Sequence, residues 1–308
     1  MSQLRVVHER CWLYVLIAIG IGGCGTDVEA VHLGTGGGAA SATTTTGGGG
    51  SAPSVAEASL ATWNVEQFPK TTETVARVTQ HLQTLAPSIV AVQEIASEAG
   101  FAELDAALTD YEGFLNDDPG AFIRVGLLYR SEHVTVSEVE TLFAQEWFAF
   151  PRPPLKARLT VATDPPFDFV IVVVHLKAQL DAESEERRRQ ACRALSQWID
   201  GQVANGEEKD FVVVGDFNDK LTDPPEWNVF TPFLEAPDRF RFLTMPLAEA
   251  GDYTYIPFES FIDHILVTSD ALGEYGEGET AVLALEQREA DYRAVISDHR
   301  PVIARFVP

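Results

Sequence analysis

The chain has 308 residues, 45% of them hydrophobic and 10% aromatic, which supplies one large globular domain and excludes an intrinsically disordered protein. Its 22 Lys and Arg stand against 46 Asp and Glu, a formal net charge of -24. That balance excludes the broad basic footprint that grips duplex DNA non-specifically, yet leaves nuclease chemistry open, because bound cations and a few local Arg or Lys can compensate at a site.

In chain order, Arg5 and Arg10 precede the apolar run from Trp12 to Ile19, which meets Ile21-Gly22-Gly23-Cys24. The run is shorter than the roughly 18–20 apolar residues that span a bilayer. Residues 1–24 resemble a bacterial lipoprotein signal peptide, and the resemblance implies cleavage before Cys24 and lipidation of its thiol. Gly25 follows where an aspartate would favour inner-membrane retention, so the expected location is the cell envelope, at the outer membrane or cell surface. An ordinary cleaved signal with a chance cysteine is the alternative. Residues 25–54 are rich in Gly, Thr, Ser and Ala, cannot bury a core, and are expected to tether a domain spanning residues 55–308. As a flexible coil of about 30 residues, this tether would span roughly 30 Å. Of the three cysteines, Cys11, Cys24 and Cys192, only Cys192 lies in the domain, so no disulfide forms within it.

Within the domain, short β-rich runs alternate with helical stretches, and the chemically interesting residues sit where apolar runs stop. The run Leu60 to Glu66 is expected to be a strand with Asn64 and Glu66 on one side. A helix is expected from Thr72 to Leu85, with Val75, Val78, Leu82 and Leu85 at helical spacing, capped by Thr71 or Thr72 and closed by Pro87. The apolar run after Pro87 ends in Gln93-Glu94, which puts a carboxylate at a strand mouth.

Val125 to Arg130 and Arg152 to Leu159 read as neighbouring strands with arginines near their ends, and the Arg152 guanidinium suits a phosphate. Phe169 to Val174 delivers His175 toward the same rim. The helix that follows, through Arg187, Arg188, Ala191, Leu195, Trp198 and Ile199, carries an apolar stripe that buries Cys192. Phe211 to Val214 leads into Gly215-Asp216-Phe217-Asn218. There a carboxylate can take a proton from water, and a carboxamide can donate to developing phosphoryl charge. Asp263 opens the last part of a strand pattern, and Asp298-His299 form an adjacent acid–imidazole pair.

Together, Asn64/Glu66, Gln93-Glu94, His175, Gly215-Asp216-Phe217-Asn218, Asp263 and Ser297-Asp298-His299 resemble the endonuclease/exonuclease/phosphatase superfamily, over roughly Leu60 to Phe306. The resemblance implies a deoxyribonuclease-like, four-layer α/β sandwich: two packed, mainly antiparallel sheets flanked by helices. It implies a metal-dependent hydrolase acting on ester bonds, with Mg²⁺ as the default ion and Mn²⁺ able to use the same ligands. Glu94 would be the principal metal ligand, with Asn64, Glu66 and Asp298 around it. Asp216 would activate water, Asn218 would stabilise the transition state, and Asn64, His175 and Arg152 would bind phosphate. His299, oriented by Asp263, would bind a non-bridging oxygen or assist the leaving group. Glu66 stands where some DNA-repair members carry Asp, and His264 where others carry Tyr or Arg, which leaves the substrate subfamily open.

A phosphodiester, nucleic acid included, is the leading substrate; a phosphomonoester, phospholipid head group or inositol phosphate is the enzymatic alternative. A catalytically silent surface-binding module is the non-enzymatic one, opposed by the presence of every expected acid and imidazole. Expected partners are the substrate and, through Cys24, a membrane, with no obligate protein partner. Residues 110–121, 143–154 and 223–252 are expected to form loops flanking the mouth.

Overall fold

The computed structural model describes residues 55–308 apart from 120 and 207; the signal peptide, Cys24 and the tether lie outside the described residues. Twelve strands are formed, β1 (Ala58–Phe68), β2 (Ile89–Ile95), β3 (Tyr111–Leu115), β4 (Arg124–Arg130), β5 (Val134–Thr141), β6 (Leu155–Val161), β7 (Phe167–His175), β8 (Phe211–Asp216), β9 (Phe240–Phe242), β10 (Asp263–Thr268), β11 (Glu279–Val282) and β12 (Val302–Phe306). Three longer helices accompany them, α1 (Thr74–Leu85), α2 (Glu98–Ala107) and α3 (Ala182–Asn205).

The strands make two six-stranded sheets, ordered β11-β12-β1-β2-β4-β3 and β5-β6-β7-β8-β10-β9. Each is antiparallel except for one parallel pair at its centre, β1 with β2 and β7 with β8. Residues two apart along a strand share a face, and the core divides accordingly. Leu60, Ala91, Leu127, Leu159, Ile171 and Val214 belong to a cluster shared by both sheets. Ala61, Trp63, Val90 and Val92 face the other way, onto Val78 and Leu82 of α1 and Phe101 and Leu104 of α2. On the second sheet, Val172, Val174 and Val213 pack under Ala191, Cys192, Leu195 and Ile199 of α3. Helix, sheet, sheet, helix is the expected four-layer order, and burial on both faces is why the central strands read as unbroken apolar runs.

Several local expectations are corrected. The strands at Val125–Arg130 and Leu155–Leu159 are not neighbours: β4 lies between β2 and β3 in one sheet, β6 between β5 and β7 in the other. The intervening edge strand β5, with its mostly exposed Thr, Ser and Glu, has no buried face to announce it. Arg152 precedes β6, because Pro153 and Pro154 have no N–H for the ladder and the strand begins at Leu155. The segment from Asp110, expected as loop, contains β3, paired along its length with β4. Helix α1 starts at Thr74 with no side-chain cap. Thr71 and Thr74 instead close the preceding turn, where the Thr71 N–H donates to Thr74 Oγ1 (2.8 Å) and the Glu73 N–H to Thr71 Oγ1 (3.2 Å).

The two parallel pairs fix where chemistry can occur, since all four of their strands run to the same edge and deliver Asn64, Glu94, His175 and Asp216 from their carboxyl ends. His175 and Asp216 are partners in register, and Asp263, at the start of antiparallel β10, pairs with Asp216 from the other side. Gly215 makes this crossing feasible: its φ is 143°, and a Cβ there would lie 2.0 Å from the Val174 carbonyl oxygen. Gly215→Ala is therefore expected to lower unfolding free energy by about 3 kcal/mol or more, from backbone strain plus steric overlap. Urea or guanidinium titration checks this, and a variant as stable as the parent would remove the steric account.

Candidate active site

The mouth is built from backbone that departs from regular strand at the functional residues. Glu66, Gln67, Glu94 and Asn218 all adopt positive φ, at 40°, 50°, 64° and 55°, in a region that costs non-glycine residues free energy and is held only where the surroundings over-determine it. The expected simple alternation of Asn64 and Glu66 therefore fails at Glu66, and the β1–β2 register shifts between Asn64 and Phe68. The left-handed turn has two uses. It aims the Glu66 N–H at Asn64 Oδ1 (3.0 Å) and the Gln67 N–H at Glu94 Oε2 (3.1 Å).

Asn64 joins the two sheets: its carboxamide nitrogen donates to Asp216 Oδ2 at 2.9 Å and to Glu94 Oε1 at 3.3 Å. The other Asp216 oxygen accepts the Asn218 N–H at 2.8 Å, and the Asn218 side chain donates to the Leu176 carbonyl at 3.2 Å. His175 Nε2 lies 3.5 Å from Asp216 Oδ2 and 3.8 Å from Glu94 Oε1. The Asp263 carboxylate holds His299 Nδ1 at 2.8 Å, which turns His299 Nε2 toward Asp216 (4.0 Å) and Asp298 (3.8 Å). Arg152 Nη1 donates to the carbonyls of Leu176 (2.7 Å) and His175 (3.3 Å), which anchors the guanidinium beside the strand ends. All ten residues that the sequence nominated in the domain are thus gathered at one mouth.

Burial and mutual charge set the protonation states. Burial, then the neighbouring Asp263, pushes Asp216 up to about 7, against the opposing pull of His299 and the Asn64 and Asn218 hydrogen bonds. Burial would lower His299, but Asp263, Asp216 and Asp298 more than offset it and raise the imidazole to about 10. His175, buried beside Arg152 and His299, is held well below its ordinary value and is neutral. Its Nδ1 has no partner among the described residues, which favours the single ring proton on Nε2, facing the carboxylates. One imidazole is therefore a cation and the other a neutral donor.

Two groups of donors bear on metal binding. Asp216, Asp263 and His299 each offer one atom, all within 4.8 Å of one another, a set that can close on a cation. Asp263 and His299, however, spend their facing atoms on each other, and the raised imidazole makes a proton the favoured occupant there. Glu66, Glu94 and Asp298 are partly buried, their side chains 21%, 21% and 23% exposed, and their repulsion is explicit. Burial raises Asp298 to about 6, His299 opposes the rise, and Glu66 and Glu94 reinforce it. Lys70, 2.6 Å from Glu66, is the cation paired to this trio. A crowded, all-oxygen donor set open to solvent fits a hard divalent cation better than it fits three isolated charges.

Several supports have no role assigned by the sequence motifs. The Thr254 hydroxyl accepts from the Ile262 and Asp263 N–H groups and fixes the start of β10. Ser297 donates to the Asn64 carbonyl at 2.6 Å and accepts the His299 N–H at 2.9 Å. Tyr292, which accepts from Trp63 Nε1, donates to the His299 carbonyl at 2.6 Å. Tyr255 lies over the His299 ring with centroids 4.9 Å apart. Only Ser297 had a signal, its place in Ser-Asp-His; Thr254, Tyr255 and Tyr292 belong to no motif, and their partners lie 7 to 229 positions away.

A two-sheet α/β sandwich carrying this acid, imidazole and carboxamide set at its central strand ends defines a hydrolase of phosphate esters. Residues 61–299 match the Endonuclease/Exonuclease/phosphatase family, and the chain belongs to it. No curated protein sequence matches. Among solved structures, humanized TDP2 of D. rerio superposes with a TM-score of 0.61 at 19% identity, covering 82% of this chain and 99% of that one. The human nocturnin catalytic domain with bound sulfate anion gives 0.59 at 16%, covering 81% and 94%. An endonuclease/exonuclease/phosphatase from Bacteroides vulgatus gives 0.57 at 20%, covering 81% and 98%.

The electrostatics have a direct readout. In the chelator-treated protein the His299 imidazole is expected to stay protonated as pH rises and to lose its proton near 10, while His175 stays neutral through the neutral range. Asp263→Asn should lower the His299 midpoint by at least one unit, since the paired carboxylate is the leading cause of the rise. Side-chain NMR titration measures both, and a His299 midpoint near 6.5 would refute the pairing.

Proposed function

We propose that the chain hydrolyses phosphodiesters by in-line attack of water, using a divalent cation, Mg²⁺ or Mn²⁺. The observation that carries this reading is Asp216: a buried carboxylate with its proton affinity raised to about 7, ringed by Asn64, Asn218, His175 and His299. A base needs an affinity near the working pH to take a proton from water and release it again. Asn64 and Asn218 keep the two Asp216 oxygens oriented. Neutral His175 donates to a phosphoryl oxygen, and the His299 imidazolium, steadied by Asp263, meets the charge that develops on the phosphoryl or leaving oxygen. Arg152 adds a fixed positive charge beside the strand ends.

The ion would be held by Glu94, Glu66 and Asp298 with Asn64 alongside, and would supply Lewis-acid neutralisation of phosphoryl charge. The D. rerio TDP2 structure, 18% identical, was determined with a single-strand DNA product, which favours a nucleic-acid substrate for this chain.

Removing the base should be severe and clean. Asp216→Asn is expected to lower kcat on bis-p-nitrophenyl phosphate by about 10³-fold with little loss of stability, because the substitution removes a buried charge. Glu94→Gln should instead raise the Mg²⁺ concentration needed for half-maximal rate, and chelator should abolish turnover. Full turnover in Asp216→Asn, or turnover indifferent to chelator, would overturn the reading.

We further propose export and lipid anchoring at Cys24, which the arginines, short apolar run and following cysteine support. Cys24→Ser is expected to abolish incorporation of labelled palmitate and to release the protein from the membrane fraction. Equal labelling of both forms would exclude that anchor.

A further inference from the structure

In a chain of net charge -24, cations without carboxylate partners are informative. Three of them stand together at one side of the mouth. Arg152, Lys177 and Arg187 form no ion pair among the described residues, although Arg188, the next residue along α3, is paired with Asp219 at 2.8 Å. Lys177 lies two residues beyond His175 on the same outgoing segment, and its ammonium donates to the Ala178 carbonyl at 2.9 Å. Arg187 donates to the carbonyls of Phe148 (2.6 Å) and Trp147 (3.1 Å), and its guanidinium lies over the Phe148 ring at 5.1 Å.

The three converge on one segment: Arg152 Nη1 donates to the Leu176 carbonyl, one residue before Lys177, at 2.7 Å, and Arg188, next to Arg187, donates to the Lys177 carbonyl at 2.8 Å. Lys177 is depressed first by burial and then by the charges of Arg187 and Arg152. Arg152 in turn feels Asp216 and Glu94, which places the group beside the reacting centre. Asp181, a carboxylate within range of Lys177, is committed to capping α3, accepting from Ser184 Oγ (2.7 Å) and Ser184 N (3.0 Å). Converging like charges repel and are costly to hold together unless an anion is received there. Trp147, 71% exposed and edge-on to Phe148, stands at the margin of this group with a bare aromatic face.

We infer that Lys177 and Arg187, beside Arg152, form a second phosphate subsite, and that Trp147 gives a stacking surface to the ring of the adjoining nucleotide. The preferred substrate is then a nucleotide ester that carries a phosphate beyond the one being cleaved. Base–aromatic stacking tolerates any base, and a fork of fixed cations recognises a phosphate oxygen pair, so the subsite would select backbone and ring rather than sequence. This rests on the phosphodiesterase reading above, but it can fail separately.

The test compares thymidine 3′,5′-bisphosphate with thymidine 5′-monophosphate, by calorimetry on the full chain in Mg²⁺. The bisphosphate is expected to bind about tenfold more tightly, as one added charge-assisted contact predicts. That ratio should fall toward one in Lys177→Gln and Arg187→Gln, and Trp147→Leu should weaken both nucleotides while sparing inorganic pyrophosphate. Arg187 also supports the 147–148 backbone, so Lys177→Gln, which loses only the contact to Ala178, is the decisive variant. A ratio near one in the unmutated chain, or a ratio that survives Lys177→Gln, overturns the subsite. Loss of all diester turnover with the binding ratio intact would fault the hydrolytic reading and leave the subsite standing.

Discussion

Asp216 ends β8 almost wholly out of water, where an isolated carboxylate is strongly disfavoured and would take up a proton. What opposes that uptake is a set of donors drawn from both sheets: Asn64 from β1, the Asn218 N–H beyond β8, and two imidazoles. The Asn64 contact crosses from one sheet to the other, so packing of the sandwich and positioning of the Asp216 carboxylate are the same event. The wide shared apolar cluster between the sheets is therefore also the mount of the site.

The strained residues follow from the same geometry. Regular alternation would put Asn64 and Glu66 on one face of β1, but the backbone leaves that geometry at Glu66 and Gln67, where the β1–β2 register shifts between Asn64 and Phe68. Positive φ at Glu66, Gln67, Glu94 and Asn218 breaks the alternation; the Gln67 and Asn218 N–H groups meet the Glu94 and Asp216 carboxylates, and the Glu66 N–H meets the Asn64 carboxamide oxygen. Each such residue costs of order 1–3 kcal/mol. That cost is borne by the buried strands behind them, which are among the least exposed parts of the chain.

How much of this was legible in the sequence depends on range. Apolar runs ending in Glu94, His175 and Asp216 are local patterns, and a central strand buried on both faces cannot hide them. Family resemblance then supplied the two-sheet order that periodicity leaves open. Edge strands β3 and β5 were missed because one face or both are wet, so their composition resembles loop. The prolines after Arg152 are visible in the sequence, and the ladder they cannot join starts only at Leu155. Thr254, Tyr255 and Tyr292 act through contacts with residues 7 to 229 positions away, in no sequence pattern, or through a tilted ring contact. The left-handed turns at Glu66 and Glu94 lack the glycine that would have announced them.

The charge balance shows the same separation of local from global. A net -24 opposes polyanions at long range, but at physiological ionic strength exposed charges are screened beyond about 8 Å. Within that distance of the mouth the balance differs. Glu66, Glu94 and Asp298 form a set suited to a cation, which would reverse their sign, while Lys177, Arg187 and Arg152 lack ion-pair partners on the adjoining side. Acidic surface elsewhere gives solubility and suppresses loose adhesion to nucleic acid. Affinity would then come from contacts made only when a phosphate is seated between the ion and the three cations. An enzyme arranged this way discriminates by fit at the site rather than by electrostatic capture, so its turnover should depend on divalent ion far more steeply than on bulk salt.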